Sequence, residues 1–208
     1  MIKTILFDLS EVHLTGMVGA EEPIAAALGR GNEEVWENMN HPALMSLFRG
    51  EISESAYWES VIKAGAYPNK IDGTTAQEFL STAVRRNFRE IPGTADLVRA
   101  IAEQKRYDIV MLSDHAREWV DYIERQFQLS VLFPRRFYSF EIGYTKKQPQ
   151  SFRHALRYTD ADPQTTLFVD DSQRNIDVAQ SRDVGIAHTH RFESQVSLYR
   201  FLQSYGIL

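Results

Sequence analysis

A run of apolar and β-branched residues from Ile2 to Phe7 stops abruptly at Asp8-Leu9-Ser10-Glu11, the pattern of a buried strand that delivers a polar loop. From about Thr15 to Phe88 the spacing turns helical. Ile24, Ala27 and Leu28 share one face, as do Val35, Trp36 and Met39; Tyr57, Trp58, Val61 and Ile62 follow, then Phe79, Leu80 and Val84. No strand pattern interrupts this stretch. Gly29-Arg30-Gly31, Arg49-Gly50 and Tyr67-Pro68-Asn69 punctuate its helices, and Ser53 to Ala56 reads as a capped helix start.

After Ile91-Pro92-Gly93 helices and strands alternate. Leu97, Val98 and Ile101 mark a helix, and Ile109 to Leu112 a strand closing at Ser113-Asp114. Trp119, Ile123 and Phe127 mark the next helix, Phe137 to Phe140 a strand, and Phe152, Ala155 and Leu156 a helix. Thr166 to Val169 is a strand closing at Asp170-Asp171, followed by a helix at Ile176 and Ala179, a last strand over Gly185 to His190 and a last helix over Val196 to Leu202. Such alternation predicts an α/β fold: a Rossmann-like parallel sheet covered by helices on both faces. Residues 15–89 then form an inserted α-helical cap domain, and residues 1–14 with 90–208 the α/β core.

Composition narrows the chemistry. The 208 residues are 43% apolar and 25% charged with a net charge of −5, which suits a packed globular core and excludes disordered and fibrous classes. There is no cysteine, so disulfides, cysteine-ligated metals and a cysteine nucleophile are excluded. The opening Met-Ile-Lys-Thr-Ile-Leu-Phe-Asp is interrupted by charge too early for a secretory signal, and no stretch approaches the roughly 18 apolar residues of a membrane span. A soluble cytoplasmic protein is expected, with neither membrane nor nucleic acid as partner: Lys146-Lys147 and Arg135-Arg136 are too short for a nucleic-acid patch.

In an open parallel sheet ligands sit at the carboxyl ends of the strands. Three predicted strands end in polar residues: Asp8, Ser113, and the pair Asp170-Asp171. Lys146 lies in a loop before a helix, three residues past Gly143. Carboxylates, a hydroxyl and an ammonium on one rim suit a hard cation such as Mg²⁺ together with a phosphate. Each also has a plainer role. Asp8 alone would be a turn residue, Ser113 would cap the following helix, and Asp170-Asp171 would be a solvated cap pair, although adjacent carboxylates at a buried strand end are costly without a cation.

Four segments in order, Phe7-Asp8-Leu9-Ser10-Glu11-Val12, Leu112-Ser113-Asp114, Gly143-Tyr144-Thr145-Lys146 and Phe168-Val169-Asp170-Asp171-Ser172-Gln173-Arg174-Asn175, resemble the haloacid dehalogenase superfamily of hydrolases, whose members are mostly phosphatases. Ile91-Pro92-Gly93-Thr94 matches the usual return from cap to core, and the resemblance covers nearly the whole chain. It implies a Mg²⁺-dependent phosphomonoesterase acting on a small phosphorylated metabolite. Asp8 would be the nucleophile that becomes an aspartyl phosphate, Ser113 and the Asp114 N–H would hold phosphoryl oxygens, and Lys146 would neutralise charge. Asp171 would ligate Mg²⁺ with Asp8 and the Ser10 carbonyl, Asp170 lying beside it as a second ligand or a supporting partner. A haloacid dehalogenase that uses Asp8 to displace halide is the alternative, as is a catalytically silent relative that binds a phosphorylated ligand.

The chain departs from the family pattern at two positions. Ser10 stands where such phosphatases carry the Asp that protonates the leaving alcohol, and Lys147 stands where a proline usually follows the lysine, with Pro149 displaced to the helix start. Elsewhere plainer roles are expected. His188 and His190 form a strand-end pair without a third metal ligand, and His115 is a surface residue of a first helical turn, with substrate contact as the alternative. Tyr57, Trp58, Trp36 and Phe48 belong to the cap core, any of them able to line a pocket; Arg85, Arg86 and Arg89 are solvated.

Overall fold

The computed structural model describes residues 1–208. Its first strand, β1 (Thr4–Phe7), is followed by helices α1 (Glu21–Leu28), α2 (Asn32–Met39), α3 (Ala43–Phe48) and α4 (Glu54–Ala64), a hairpin of β2 (Lys70–Ile71) and β3 (Thr74–Thr75), and α5 (Ala76–Asn87). Then come α6 (Thr94–Glu103), β4 (Asp108–Ser113), α7 (Arg117–Phe127), α8 (Leu129–Leu132), β5 (Arg135–Tyr138), α9 (Ser139–Ile142) and α10 (Pro149–Thr159). The chain ends with β6 (Thr166–Asp170), α11 (Gln173–Gln180), β7 (His188–Arg191) and α12 (Gln195–Ser204). No helix is long and apolar enough to cross a membrane.

The five-stranded sheet has the order β5-β4-β1-β6-β7, and every pair in it is parallel. Between their polar end residues its central strands are apolar, because helices cover both faces. Successive residues serve opposite sides. Ile5 and Phe7 of β1, Ile109 and Met111 of β4, and Leu167 and Val169 of β6 join a core that runs on into the helical block. Leu6, Val110, Leu112 and Phe168 join a second core beneath α10 and α11 with Phe152, Ala155, Leu156 and Ile176. The chain fills one side of β1 with β4 and β5 and then returns to the other with β6, so strand order reverses beside β1, where such sheets open a crevice.

The chain leaves the sheet for the helical block and returns from it along paired segments. Thr15 N–H donates to the Arg89 carbonyl at 2.9 Å and Ile91 N–H to the His13 carbonyl at 2.8 Å. The Asn87 amide donates to the Gly16 and Val18 carbonyls, both at 2.8 Å.

Local expectations needed correcting in three places. The helical block does contain strands: Lys70–Ile71 and Thr74–Thr75 pair across Asp72-Gly73, both with positive φ (48° and 82°), which is the turn chemistry of a tight hairpin. The strand expected over Phe137 to Phe140 is Arg135–Tyr138, and Phe140 lies in α9 instead. As an edge strand β5 pairs only with β4, so its outer side tolerates arginines that disguise the pattern. The last strand is His188–Arg191, since Gly185 (φ 79°) is a turn and Ile186 N–H is spent on the Ala179 carbonyl.

Candidate active site

The carboxyl ends of β1, β4 and β6 deliver the polar residues, and the loop before α10 adds the cation. Lys146 is 2% exposed, and its ammonium lies 2.5 Å from Asp8 Oδ1 and 2.7 Å from Asp170 Oδ2. Its backbone N–H donates to the Asp114 carboxylate at 2.9 and 3.1 Å, which fixes the loop against the end of β4. Lys147 takes the other direction, with Nζ 3.3 Å from Met45 Sδ of α3. Pro149 starts α10 with no hydrogen-bond donor to waste.

Asp8 is held by one oxygen only. Oδ1 accepts from Leu9 N–H at 2.7 Å and from Lys146, while Oδ2 has no donor within the protein. Asp170 is fully buried and braced on every side: Oδ1 accepts from Ser172 N–H at 2.8 Å, the Asn175 amide reaches both oxygens at 3.1 and 3.2 Å, and Lys146 takes Oδ2. Asp171 remains half-buried, and oxygens of Asp8, Asp170 and Asp171 all lie within 4.8 Å of one another.

Electrostatics follow from this crowding. Burial pushes the Asp8 carboxyl well above its usual range; Lys146 draws it back, and the neighbouring Asp170 pushes it up again. Asp171 is likewise raised, by burial and then by Asp170. Burial opposes the Lys146 charge, but Asp170, Asp8 and Asp114 outweigh it and hold the ammonium protonated far above neutral pH. Burial also lifts Asp114 to about 6.

Ser113 does not cap a helix. α7 begins four residues later at Arg117, with Ala116 at its N-cap position, and the buried Ser113 hydroxyl has no partner. An unpartnered buried hydroxyl is costly, so this group is available to a ligand. The N–H groups of Asp114 and Ser10 and the Ser10 carbonyl are likewise free of hydrogen bonds within the protein. Gly16 lets the loop close over them, because a Cβ there would lie 3.0 Å from Glu11 Oε1 and 3.2 Å from Ser10 Cβ.

A cavity of about 240 Å³ joins this rim to the helical block, lined on the rim side by Asp8, Ser10, Glu11, Asp114, Lys146 and Lys147. The sequence profile of the haloacid dehalogenase-like hydrolases matches residues 2–181. The chain belongs to this family.

Curated proteins gave no match by sequence. Among solved structures, a HAD family enzyme from Bacteroides thetaiotaomicron in complex with magnesium and inorganic phosphate superposes with a TM-score of 0.71 at 19% identity, covering 93% of this chain and 96% of that one. A predicted HAD-like family hydrolase from Porphyromonas gingivalis gives a TM-score of 0.71 at 20% identity, covering 98% of each chain. The L-2-haloacid dehalogenase of Xanthobacter autotrophicus with covalently bound chloropropionic acid gives 0.66 at 20% identity, covering 100% of this chain and 85% of that one. At these identities the likeness is one of fold.

For this haloacid dehalogenase-like hydrolase, the donor set fits a hard divalent cation. Three carboxylates meet beside one buried ammonium that pairs with two of them, and every candidate ligand atom is oxygen.

The sequence did not single out Phe88, Trp119 or Asn175 for the site, and it placed His115 on the surface with substrate contact as the alternative. His115 is buried rather than on the surface of a first turn: it precedes α7, its backbone N–H donates to Ser139 Oγ at 3.0 Å, and burial drives its imidazole down to about 3, so it is neutral. Phe88 and Trp119 line the cavity with it, and Asn175 braces Asp170. Only Asn175 carried a signal, five residues past Asp170, which is one helical turn reaching back to the strand end. Arg85, expected in solvent, is half-buried and paired to Glu54 at 2.5 Å. Phe48 and Trp36 line the cavity, whereas Tyr57 and Trp58 are fully buried in the core. His188 and His190 take no part in a carboxylate or metal cluster and pack on Tyr205 and Phe201, at 5.5 and 4.5 Å between rings.

Proposed function

We propose that this hydrolase is a Mg²⁺-dependent phosphomonoesterase acting on a small phosphorylated metabolite, with the helical block as a cap over the site. The observation that carries the proposal is the meeting of Asp8, Asp170 and Asp171 within 4.8 Å of one another, two of them paired to one buried ammonium. The magnesium and phosphate held by the Bacteroides relative support it.

Asp8 Oδ2, the oxygen without a donor, attacks phosphorus; the bond to the leaving oxygen breaks and that oxygen takes the electron pair. Lys146 holds Oδ1 and so fixes which oxygen attacks, while neutralising charge between nucleophile and phosphoryl group. The free Ser113 hydroxyl and the Asp114 and Ser10 N–H groups hold phosphoryl oxygens. Water then attacks the aspartyl phosphate, releasing inorganic phosphate and restoring Asp8. Asp8, Asp171 and the Ser10 carbonyl would hold Mg²⁺, with Asp170 committed to Lys146 and Asn175; when bound, the ion neutralises charge on carboxylates and phosphoryl oxygens. Asp170 is thereby a supporting residue more than a ligand.

A haloacid dehalogenase would use Asp8 in the same way, yet would have no cation for the cluster that Asp171 forms with Asp8 and Asp170. The test is phosphate release from 4-nitrophenyl phosphate with Mg²⁺ and with chelator, beside chloride release from 2-chloropropionate. Mg²⁺-dependent phosphate release is expected. Chloride release without phosphate release would replace the proposal with dehalogenation, and neither product would leave a silent binder.

A further inference from the structure

The wall of the cavity opposite the carboxylates is built from Trp36, Leu44, Met45, Phe48, Phe88 and Trp119. Phe48, Phe88 and Trp119 close around His115: ring centroids lie 6.4 Å apart for Phe48 and His115, 5.4 Å for Phe88 and His115, and 5.8 Å for Trp119 and His115 in an edge-on contact. The Trp119 indole N–H is not available to a ligand, because it donates to Glu54 Oε1 at 2.8 Å. Asn40 and Lys147 also line the cavity, but both are solvent-exposed. The half-buried Trp36 keeps an indole N–H without a partner in the protein, so the wall offers that donor and, among its buried residues, one polar side chain, His115. His115 Nδ1 is sealed without a partner, and Nε2, which forms no hydrogen bond within the protein, is the ring nitrogen left open.

We infer that the alcohol part of the substrate is a small apolar group, a single ring or a branched chain, and that His115 is the specificity-determining residue that contacts its one polar substituent. The inference rests on the phosphomonoesterase proposal and goes beyond it to the substrate class. A polyol such as a sugar or glycerol would press several hydroxyls against a wall that offers only the Trp36 N–H and His115, each hydroxyl left unpaired weakening binding by roughly tenfold or more. Size agrees, since a cavity of about 150 Å³ suffices for benzene and about 240 Å³ adds room for a phosphoryl group. Neutral and set among rings, His115 gives or takes a single hydrogen bond without adding charge.

The test is calorimetric binding to the full chain with Mg²⁺, using benzylphosphonate, 3,4-dihydroxybutylphosphonate and inorganic phosphate, none of which can be hydrolysed as an ester. Benzylphosphonate should bind roughly 30-fold or more tighter than the dihydroxy compound. Phe48→Gln, at a partly exposed position, should narrow that gap at least roughly tenfold while leaving inorganic phosphate binding unchanged. For His115, a panel of hydroxybenzylphosphonates should show one ring position that gains affinity in wild type and loses the gain in His115→Phe. Equal or tighter binding of the dihydroxy compound would overturn the apolar substrate class while leaving the phosphatase proposal standing. A panel gain that survives His115→Phe would overturn the role of His115. If inorganic phosphate itself failed to bind, the phosphatase proposal and this inference would fall together. Benzyl phosphate and glycerol 3-phosphate, both esters of primary alcohols, give the parallel rate comparison, in which the benzyl ester should be turned over faster.

Discussion

Glu54, at the start of α4 in the helical block, accepts a hydrogen bond at 2.8 Å from the indole of Trp119 in α7, on the far side of the cavity wall. The same carboxylate accepts from the Trp58 indole at 3.0 Å, from Ser81 at 2.9 Å and from both terminal nitrogens of Arg85 at 2.6 and 2.5 Å. Burial would raise this carboxyl, but Arg85 and the two indoles together hold it below its ordinary range. The joint therefore fastens the helical block to α7 through one ionised group and orients Trp119 toward the site.

Removing that group leaves two indoles without an acceptor and the Arg85 guanidinium with Ser81 alone. Glu54→Ala should destabilise the protein by roughly 3 kcal/mol, the low end for breaking a buried pair because Arg85 keeps some solvent. Urea unfolding followed by tryptophan fluorescence checks this; a loss below about 1 kcal/mol would mean that the joint is not what holds the two parts.

Asp8→Asn should abolish phosphate release while leaving the circular dichroism spectrum unchanged. The amide keeps the shape but is a far poorer nucleophile and a weaker cation ligand. Turnover close to wild type would exclude Asp8 as the attacking group.

The two adjacent carboxylates should separate in a Mg²⁺ titration. Asp171→Asn should raise the Mg²⁺ needed for half-maximal activity by at least about tenfold with little change in melting temperature, since Asp171 makes no ion pair and no side-chain hydrogen bond. Asp170→Asn should instead lower the melting temperature, because Lys146 loses its fully buried counterion. Identical behaviour of the two variants would show that the pair shares the metal.

Ser10→Asp should supply a leaving-group acid without removing the backbone carbonyl proposed as a Mg²⁺ ligand. Alkyl phosphates should gain on the order of 10²–10⁴-fold, and 4-nitrophenyl phosphate little, since nitrophenolate departs unprotonated. No gain for alkyl esters in a folded variant would place the proton donor elsewhere.

His13 and His115 are buried and neutral, both driven by burial from 6.5 to about 3. A lowered histidine adds stability that is complete above pH 6.5 and is lost as pH falls toward 3, up to about 1.4 kcal/mol per pH unit for each. Neither nitrogen of His13 has a partner, and its ring lies edge-on to Phe7 and Phe133 at 5.3 and 4.8 Å. His13→Leu should therefore stabilise the protein by roughly 1–2 kcal/mol at pH 7 and flatten acid unfolding between pH 6 and 4 by about one proton. Unfolding curves across that range measure both effects, and an unchanged slope would show that His13 is protonated in the folded state.

What the chain determined by itself was everything with a local period or a fixed spacing. The apolar runs ending at Asp8, Ser113 and Asp170-Asp171 announced strands of a covered parallel sheet, because a strand buried on both faces has no polar alternation and must shed its polar residues at its end. Even here weak edge strands slipped: β5 and β7 pair on one side only, so arginines and histidines blurred their limits. The Asp72-Gly73 hairpin was written in the sequence as turn chemistry, but two residues of strand on each side give no period to read. Tertiary structure alone decided the rest. Which lysine turned inward depended on the Asp114 carboxylate seizing the Lys146 N–H, a partner 32 residues away. The division of labour between Asp170 and Asp171 depended on Asn175 and Lys146 arriving from two different elements. Whether Arg85 was solvated, and whether His115 was a surface residue or a cavity wall, depended on packing between the helical block and α7. Spacing along a chain records neighbours on one element; it cannot record which faces of distant elements meet, and at this site those meetings set charge, burial and the shape of the cavity.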